Sequence, residues 1–145
     1  MLVRQVLKSK PNPGVLTISS SATVAEATKI LSENRIGSLV VSDDDGKTAA
    51  GILSERDIVR ELAKAGSGCL EKTVGDYMTR KLFTCTGEAS VQGVLASMTE
   101  GRFRHMPVVE EGELVGVVTL GDLVKAQLTE VEMEKEALQG MIMGH

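Results

Sequence analysis

The heptapeptide GILSERD at residues 51–57 returns as GVVTLGD at residues 116–122, and this pair decides the fold. Each heptapeptide follows a run rich in β-branched residues, NRIGSLVV at 34–41 and FRHMPVV at 103–109. An earlier segment repeats as well, because Val24 and Val91, 67 residues apart, each open a stretch with apolar residues at helical spacing. Self-similarity at a nearly fixed offset predicts two copies of one structural unit.

Each copy is predicted to fold as strand, helix, strand, strand, helix. Thr23 and Glu26 form a capping-box signature at the first helix, and residues 38–42 and 50–53 are short, β-branched runs bounded by turn residues. Residues 106–109 and 114–118 repeat this hairpin, and the second helices begin at Ser54 and Thr119. The predicted fold class is therefore α/β (α+β), with two pseudo-symmetric βαββα repeats packed through their sheets and a C-terminal helix.

The repeats set the predicted domain boundaries. Residues 1–65 form the first repeat, 66–72 a linker, 73–126 the second repeat and 127–145 a C-terminal helical tail. A single repeat of about 55 residues buries too little core to be stable alone, so the two are expected to share an interface. Clefts at that interface are the expected ligand sites.

Composition disfavours several kinds of protein. Sixteen Lys and Arg against twenty Asp and Glu give a net charge of −4, which does not support nucleic acid binding. Cys69 and Cys85 form no CxxC pair and no His/Cys set has metal-ligand spacing, so free thiols and no metal are predicted. No stretch approaches the ~18 apolar residues of a membrane span, and the N-terminus lacks the apolar region of a signal peptide. We expect a cytoplasmic protein with no membrane partner.

From about Lys8 to Leu128 the repeated motifs resemble the CBS-domain family, whose tandem pairs are known as Bateman modules. The resemblance implies two clefts that commonly hold AMP, ADP, ATP or another adenosyl ligand. It also implies a homodimer and, for a pair without a catalytic domain, a regulatory protein that acts on a protein effector. NAD(H) and S-adenosylmethionine are open alternatives. An enzyme is disfavoured, because the chain has no barrel, nucleophile–base pair or phosphate-loop fingerprint.

Ser54 with Asp57, and Thr119 with Asp122, stand at the start of a helix in each repeat. From the residues alone each pair is a capping box, in which hydroxyl and carboxylate satisfy free helix N–H groups. The same helix N-terminus can hold an anion. The resemblance implies that the hydroxyl contacts phosphate and that the Asp contacts the ribose hydroxyls, for which a carboxylate is a suitable acceptor. The two roles can coexist.

The resemblance further implies that each cleft draws on both repeats and that the two clefts differ, because IGS at 36–38 stands where the second repeat has FRHM. Arg104 and His105 would lie beside phosphates, whereas ion pairing at the surface is the alternative for Arg35 and Arg102. One cleft, expected to be the richer, would contain Leu16, Ile36, Gly37, Ser38, Arg104, His105, Thr119 and Asp122. The other would contain Met78, Phe83, Phe103, Met106, Ser54, Arg56 and Asp57. Apolar residues such as Ile36, Phe83 and Phe103 would sandwich the adenine, with ordinary core packing as the alternative.

A last helix is predicted from Gln127 to Met143, with an apolar stripe along one face. Packing against its own chain, a dimer contact and a partner groove are all open for this stripe. Its members are Leu128, Val131, Leu138, Met141 and Ile142.

Overall fold

The first repeat has the predicted order of elements. The structure, a computed structural model, describes residues 1–11 and 14–142. A short helix, α1 (Val3–Ser9), precedes the repeat. The Glu26 N–H donates to the Thr23 hydroxyl and the Thr23 N–H donates to the Glu26 carboxylate, so the predicted capping box begins the next helix. The repeat contains β1 (Thr17–Ile18), α2 (Val24–Asn34), β2 (Ser38–Val41), β3 (Gly51–Ser54) and α3 (Glu55–Ala65).

The second repeat has the same helices and hairpin but a weaker first strand. A 3₁₀ helix (Gly66–Glu71) and the single turn α4 (Val74–Tyr77) connect it to the first repeat. Its first strand is reduced to one parallel bridge between Cys85 and Val108. The remaining elements are α5 (Val91–Gly101), β4 (His105–Glu110), β5 (Glu113–Thr119) and α6 (Leu120–Ile142).

The two sheets are small, and their registers bring equivalent residues to equivalent places. In the first sheet β2 lies between β1, to which it is parallel, and β3, to which it is antiparallel with Ser38 opposite Ser54. In the second sheet β4 and β5 are antiparallel with His105 opposite Thr119. Each hairpin therefore ends at the residue that begins a helix, which places the start of α3 and of α6 beside a strand end.

Buried side chains form two clusters, and each repeat contributes a segment to the other's cluster. Val74 of α4, which precedes the second repeat, packs with Leu39 and Leu53 of the first. Val3 and Val6 of α1 pack in the cluster of the second repeat. The packing therefore exchanges the leading helices of the two repeats. The boundaries at 1–65 and 73–126 describe order along the chain and stay a prediction.

Helix α6 is continuous, so no break separates the second repeat from the predicted tail at Gln127. The apolar stripe of the tail is exposed, from 50% at Val131 to 84% at Ile142, which excludes packing on the described part of its own chain. Met143, the predicted end of this helix, lies outside the described residues.

Within residues 1–11 and 14–142, no helix has both the length and the apolarity required to cross a bilayer. The mixed α/β fold class with a C-terminal helix is confirmed.

Candidate functional site

Two clefts open where the repeats meet, and each contains the start of one long helix. We call the first the α3 cleft; its volume is about 370 Å³, and it is lined by the β3–α3 junction of the first repeat and by parts of residues 79–83 and 101–107. We call the second the α6 cleft; its volume is about 470 Å³, and it is lined by the start of α6 and by residues near Leu16 and Ile36. Each cleft therefore draws on both repeats.

Asp57 anchors the wall of the α3 cleft through its capping box. Its Oδ2 accepts from the Ser54 N–H at 2.9 Å and from the Ser54 hydroxyl at 3.0 Å, while the Asp57 N–H donates to the Ser54 Oγ at 3.3 Å. Asp57 is only 7% exposed, and its Oδ1 accepts from Arg60 at 2.8 Å. Both carboxylate oxygens are thus engaged within the chain, and a ribose would compete with Arg60 for Oδ1.

Asp122 has the equivalent position in the α6 cleft but a different cation. Its Oδ2 accepts from the Thr119 N–H at 3.0 Å, and the Asp122 N–H donates to the Thr119 Oγ1 at 3.1 Å. Lys10 lies 3.0 Å from the same Oδ2 and also donates to the Val117 carbonyl. Burial acts to raise the pKa of Asp122, but the hydrogen bonds from Thr119 and Lys10 outweigh it and hold the pKa below its ordinary value.

His105 lines both clefts, as does Gly37. A Cβ at position 37 would lie 3.3 Å from His105 Nε2, so the missing side chain lets the imidazole approach the backbone of the first repeat. Burial is the largest influence on this imidazole and lowers its pKa; Arg104 and Lys10 act in the same direction, while Glu55 and Asp122 oppose them. The His105 side chain therefore lines both clefts, and its protonation changes the charge of both.

Most basic side chains gather in the α3 cleft, which corrects the predicted assignment of Arg104. Arg104, which directly precedes β4, lines this cleft and does not line the α6 cleft. The α6 cleft has Lys10 and Arg35 as its cations. The cations of the α3 cleft are Arg56, Arg60, Lys81, Arg102 and Arg104. The predicted richer cleft is therefore the poorer one in positive charge.

Phe83 and Phe103 stack directly on each other and do not leave a gap in which an adenine could bind. The rings of Phe83 and Phe103 are nearly parallel, with an interplanar angle of 7° and centroids 5.0 Å apart, which leaves no room for a base between them. Phe83 is 55% exposed, so its outer face is open to a base. Ile36 lines the α6 cleft, which is the cleft expected for it, while Phe83 and Phe103 line the α3 cleft.

The remaining predicted residues divide between lining and core. Met78 and Met106 line neither cleft, because they are buried in the two hydrophobic clusters, so the core-packing alternative holds for them. The α6 cleft brings together Leu16, Ile36, Gly37, Ser38, His105, Thr119 and Asp122. The α3 cleft brings together Ser54, Arg56, Asp57, Phe83 and Phe103.

Sequence reasoning missed three cations. Arg60 lies three residues after Asp57 on one helix, a spacing that indicates an ion pair and could have identified it. Lys10 and Lys81 precede the first strand of their repeats, in segments that the repeat comparison did not align. No local pattern identifies those two lysines, since only the tertiary fold brings them to the clefts.

The cysteines lie away from both clefts. Cys69 is buried, and Cys85 is half-buried, with its backbone paired to the strand at Pro107 and Val109. Burial, reinforced by Glu110, raises the pKa of the Cys85 thiol, which disfavours the reactive thiolate. The part of the chain that the structure describes contains no cluster of three or more His, Cys, Asp or Glu side chains suited to a metal ion.

Two comparisons with known proteins agree on the architecture. A mitochondrial CBS domain-containing protein of Arabidopsis thaliana is 34% identical over 148 residues, which cover 98% of this chain and 72% of that protein. The crystal structure of a CBS-domain containing protein from Agrobacterium tumefaciens superposes with a TM-score of 0.83 at 36% identity, covering 88% of this chain and 99% of that one.

A third similar structure contains ligands. The CBS domain pair of protein MJ0100, solved in complex with 5′-methylthioadenosine and S-adenosyl-L-methionine, has a TM-score of 0.77 at 30% identity and covers 90% of this chain and 98% of that one. The sequence profile of the CBS domain matches residues 3–64 and 74–129, the two repeats in succession. This chain belongs to the CBS domain family, as a tandem pair of repeats.

Proposed function

We propose that this chain is a regulatory, non-catalytic module that binds adenine nucleotides, AMP, ADP or ATP, in the clefts between its two repeats. One observation carries the proposal. Each cleft combines the N-terminus of a long helix, a Ser or Thr hydroxyl, an Asp carboxylate and at least two cations. A helix start and cations favour phosphate, and a carboxylate suits ribose hydroxyls.

The positive charge of the α3 cleft favours phosphate-bearing ligands over a sulfonium compound. Its five cations face two carboxylates, Glu55 and Asp57. S-adenosylmethionine brings positive charge at its sulfonium, which gains nothing from arginines. It remains a second candidate because the similar pair of protein MJ0100 was solved with that ligand, and NAD(H), whose pyrophosphate also suits arginines, is a third.

Binding across two repeats offers a means of regulation. A ligand that contacts both sides of a cleft stabilises one relative packing of the repeats by its difference in affinity for the alternatives. In the α3 cleft, a ribose bound to Asp57 would also displace Arg60 from Oδ1, where it lies at 2.8 Å. The released guanidinium would then be available to a phosphate or to an effector protein.

A ligand panel tests the proposal directly. AMP, ATP, NADH and S-adenosylmethionine are each added at millimolar concentration, and thermal unfolding and calorimetry are measured, with adenosine as the phosphate-free control. A nucleotide present at 100 times its Kd stabilises the folded state by about 2.7 kcal/mol. We expect AMP or ATP to raise the Tm above the adenosine value. If no member of the panel stabilises the protein, the nucleotide-sensor proposal is overturned.

We also propose that the chain forms a homodimer through the exposed stripe of α6. Leu128, Val131 and Leu138 are at least half exposed and lie at spacings of three and seven residues along one helix face. Truncation after Leu128 is expected to reduce a dimeric sedimentation mass to the monomer, and Leu138→Glu to do the same without shortening the chain. An equal mass for all three proteins would exclude this dimer and leave the stripe to a protein effector.

A cytoplasmic location is part of the proposal, supported by the absence of an extended apolar segment among the described residues. The similar Arabidopsis protein is named as mitochondrial, so localisation of a tagged full-length chain is the test. Residence in an organelle would contradict it.

A further inference from the structure

A shallow depression of about 320 Å³ adjoins the α3 cleft and has no role in the function proposed above. Its walls include Arg56, Arg102, Phe103 and Arg104, and all four also line the α3 cleft. Its other lining residues are Met98, Thr99 and Leu120, so no carboxylate faces it. The three arginines therefore line both the cleft and the depression, and we call them the arginine border.

The three arginines come from separate elements that converge at this border. Arg56 lies in the first turn of α3, Arg102 ends α5 with a left-handed backbone (φ 57°, ψ 44°), and Arg104 directly precedes β4. The Leu120 N–H donates to the Arg104 carbonyl at 2.8 Å, which fixes the backbone at this point to the start of α6. The border is thus held by the fold and does not depend on one flexible loop.

The arginine side chains of this border have no charged or hydrogen-bonding partner among the described residues. Over residues 1–11 and 14–142, none of Arg56, Lys81, Arg102 and Arg104 has a side-chain hydrogen bond or an ion pair. Arg60 and Lys10, by contrast, are each paired with the Asp of their cleft. Unpaired arginines that line one depression favour an anion that can contact more than one of them.

We propose that the depression is a subsite for the distal phosphates of a nucleoside diphosphate or triphosphate whose nucleoside lies in the α3 cleft. This inference rests on the proposed function, and it adds that the α3 cleft selects polyphosphates. Arg56 lies in the first turn of α3, and it lines both the cleft and the depression together with Arg102 and Arg104. The planar fork of arginine binds phosphate oxygens in pairs. The α6 cleft, where Arg35 is the cation without an ion pair among the described residues, takes a ligand of lower charge.

The experiment uses a fluorescent reporter in the α3 cleft. The chain has no tryptophan, so Phe83→Trp provides a single indole at this cleft and none at the other. Adenosine, AMP, ADP and ATP are titrated into the reporter protein at low and at 0.5 M salt. We expect affinity to rise with each phosphate and the ATP affinity to fall most with salt, since the contacts are charged and partly exposed.

Arg102→Gln and, separately, Arg104→Gln are then made in the reporter background. Each is expected to lower the ratio of ATP affinity to AMP affinity roughly five- to tenfold, the scale of a lost charge-assisted contact. Lys64→Gln, which removes the same charge from the exposed far end of α3, is the matched control and should leave the ratio unchanged. Gln retains length and polarity, so both variants are expected to fold.

The outcomes separate this inference from the proposed function. Equal affinity for AMP and ATP, or a ratio unaffected by both arginine variants, overturns the subsite while leaving nucleotide binding in place. A ratio that falls equally in Lys64→Gln shows a general charge effect and also overturns it. No indole response to any of the four ligands removes both the subsite and nucleotide binding at this cleft.

Discussion

The α3 and α6 clefts share one backbone plan and differ in the side chains around it. The first N–H of α3, at Glu55, donates to the Gly37 carbonyl at 2.9 Å, and the first N–H of α6, at Leu120, donates to the Arg104 carbonyl at 2.8 Å. Gly37 and Arg104 therefore occupy equivalent positions in the two repeats. The local fold is the same with glycine at one position and arginine at the other, but only the arginine adds positive charge to a cleft.

This difference explains how a duplicated unit acquires two unlike sites. The hydrogen bonds that define each helix start are retained, because either hydroxyl and either Asp can form the capping box. The cations are not part of that backbone pattern, so they vary without cost to the fold. The α3 cleft is lined by more cations than the α6 cleft, and in each cleft one cation is paired with the Asp at the helix start.

The largest expected effect concerns a second equivalent pair of residues, Gly51 and Gly116. Gly51 is the first residue of β3, and Gly116 lies in the middle of β5. A Cβ at position 51 would lie 2.8 Å from the Thr79 carbonyl, which accepts the Ile52 N–H and cannot move without breaking that bridge. The three atoms nearest to a Cβ at position 116, at 2.7 to 3.4 Å, all belong to the Leu7 side chain, which can rotate away. The two glycines are equivalent in sequence but not in their surroundings.

Gly51→Ala should therefore lower the free energy of unfolding by about 2–3 kcal/mol, the scale of overpacking against rigid backbone. Gly116→Ala should lower it by less than about 1 kcal/mol, because a side chain relaxes and the unfolded chain loses entropy. Urea unfolding of both variants and the parent chain measures the difference. Equal destabilisation would contradict the view that only the first of these contacts is rigid.

The next effect in size tests whether the clefts act separately. Asp57→Ala should weaken nucleotide binding at the α3 cleft at least tenfold, about 1.4 kcal/mol, because the proposed ribose acceptor is lost. Asp122→Ala should weaken the α6 cleft, and calorimetry of each variant should retain one of two binding events. Asp57→Asn and Asp122→Asn are the controls for folding, since an amide oxygen still accepts from the helix-start N–H. Equal loss at a single site in both variants would contradict two separate clefts.

How far the sequence predicts this molecule depends on whether a feature is local. The hairpins, the capping boxes at Thr23 and Ser54, and the end of α3 at Ala65 follow from local patterns, and the structure confirms them. The helix α1 was not predicted, because its buried Val3 and Val6 are too few to form a periodic pattern. Its place in the second cluster depends on contacts more than 80 residues away along the chain.

The sequence predicts many of the residues that line the clefts, but it does not predict which cleft each side chain faces. The two Asp residues and their hydroxyl partners were found because the capping motif and the predicted ligand contacts fall on the same residues. The cleft of Arg104 was wrong because a repeat comparison aligns positions without showing which way a side chain points. Met78 and Met106 lie in the buried clusters and line neither cleft, because apolar residues fit both a core and an adenine pocket and the sequence does not separate the two. Whether any of these residues binds a ligand stays a prediction.

The smallest expected effect concerns His105, whose side chain lines both clefts. Burial is the main reason that its folded-state pKa lies below the ordinary 6.5, so below that pH the unfolded chain binds more protons than the folded one. The free energy of unfolding should therefore fall as pH drops through 6.5 towards the folded pKa, and it should be insensitive to His105 above about pH 7.5. The change should be smaller than the losses expected for Gly51→Ala and for the Asp variants, because it arises from one partly buried imidazole.

Urea unfolding at pH 5.5 and 7.5, compared between the parent chain and His105→Gln, isolates this group. Asp122 does not confound the comparison, because its lowered pKa keeps it ionised at both pH values, and His145 is common to both proteins. A smaller loss of stability at pH 5.5 in the variant is expected, and an identical loss would contradict a lowered pKa. Phosphate ligands should oppose this effect from either cleft, since a nearby anion favours the imidazolium. A nucleotide that raises the His105 pKa in an NMR titration would therefore place its phosphates beside a side chain that lines both clefts.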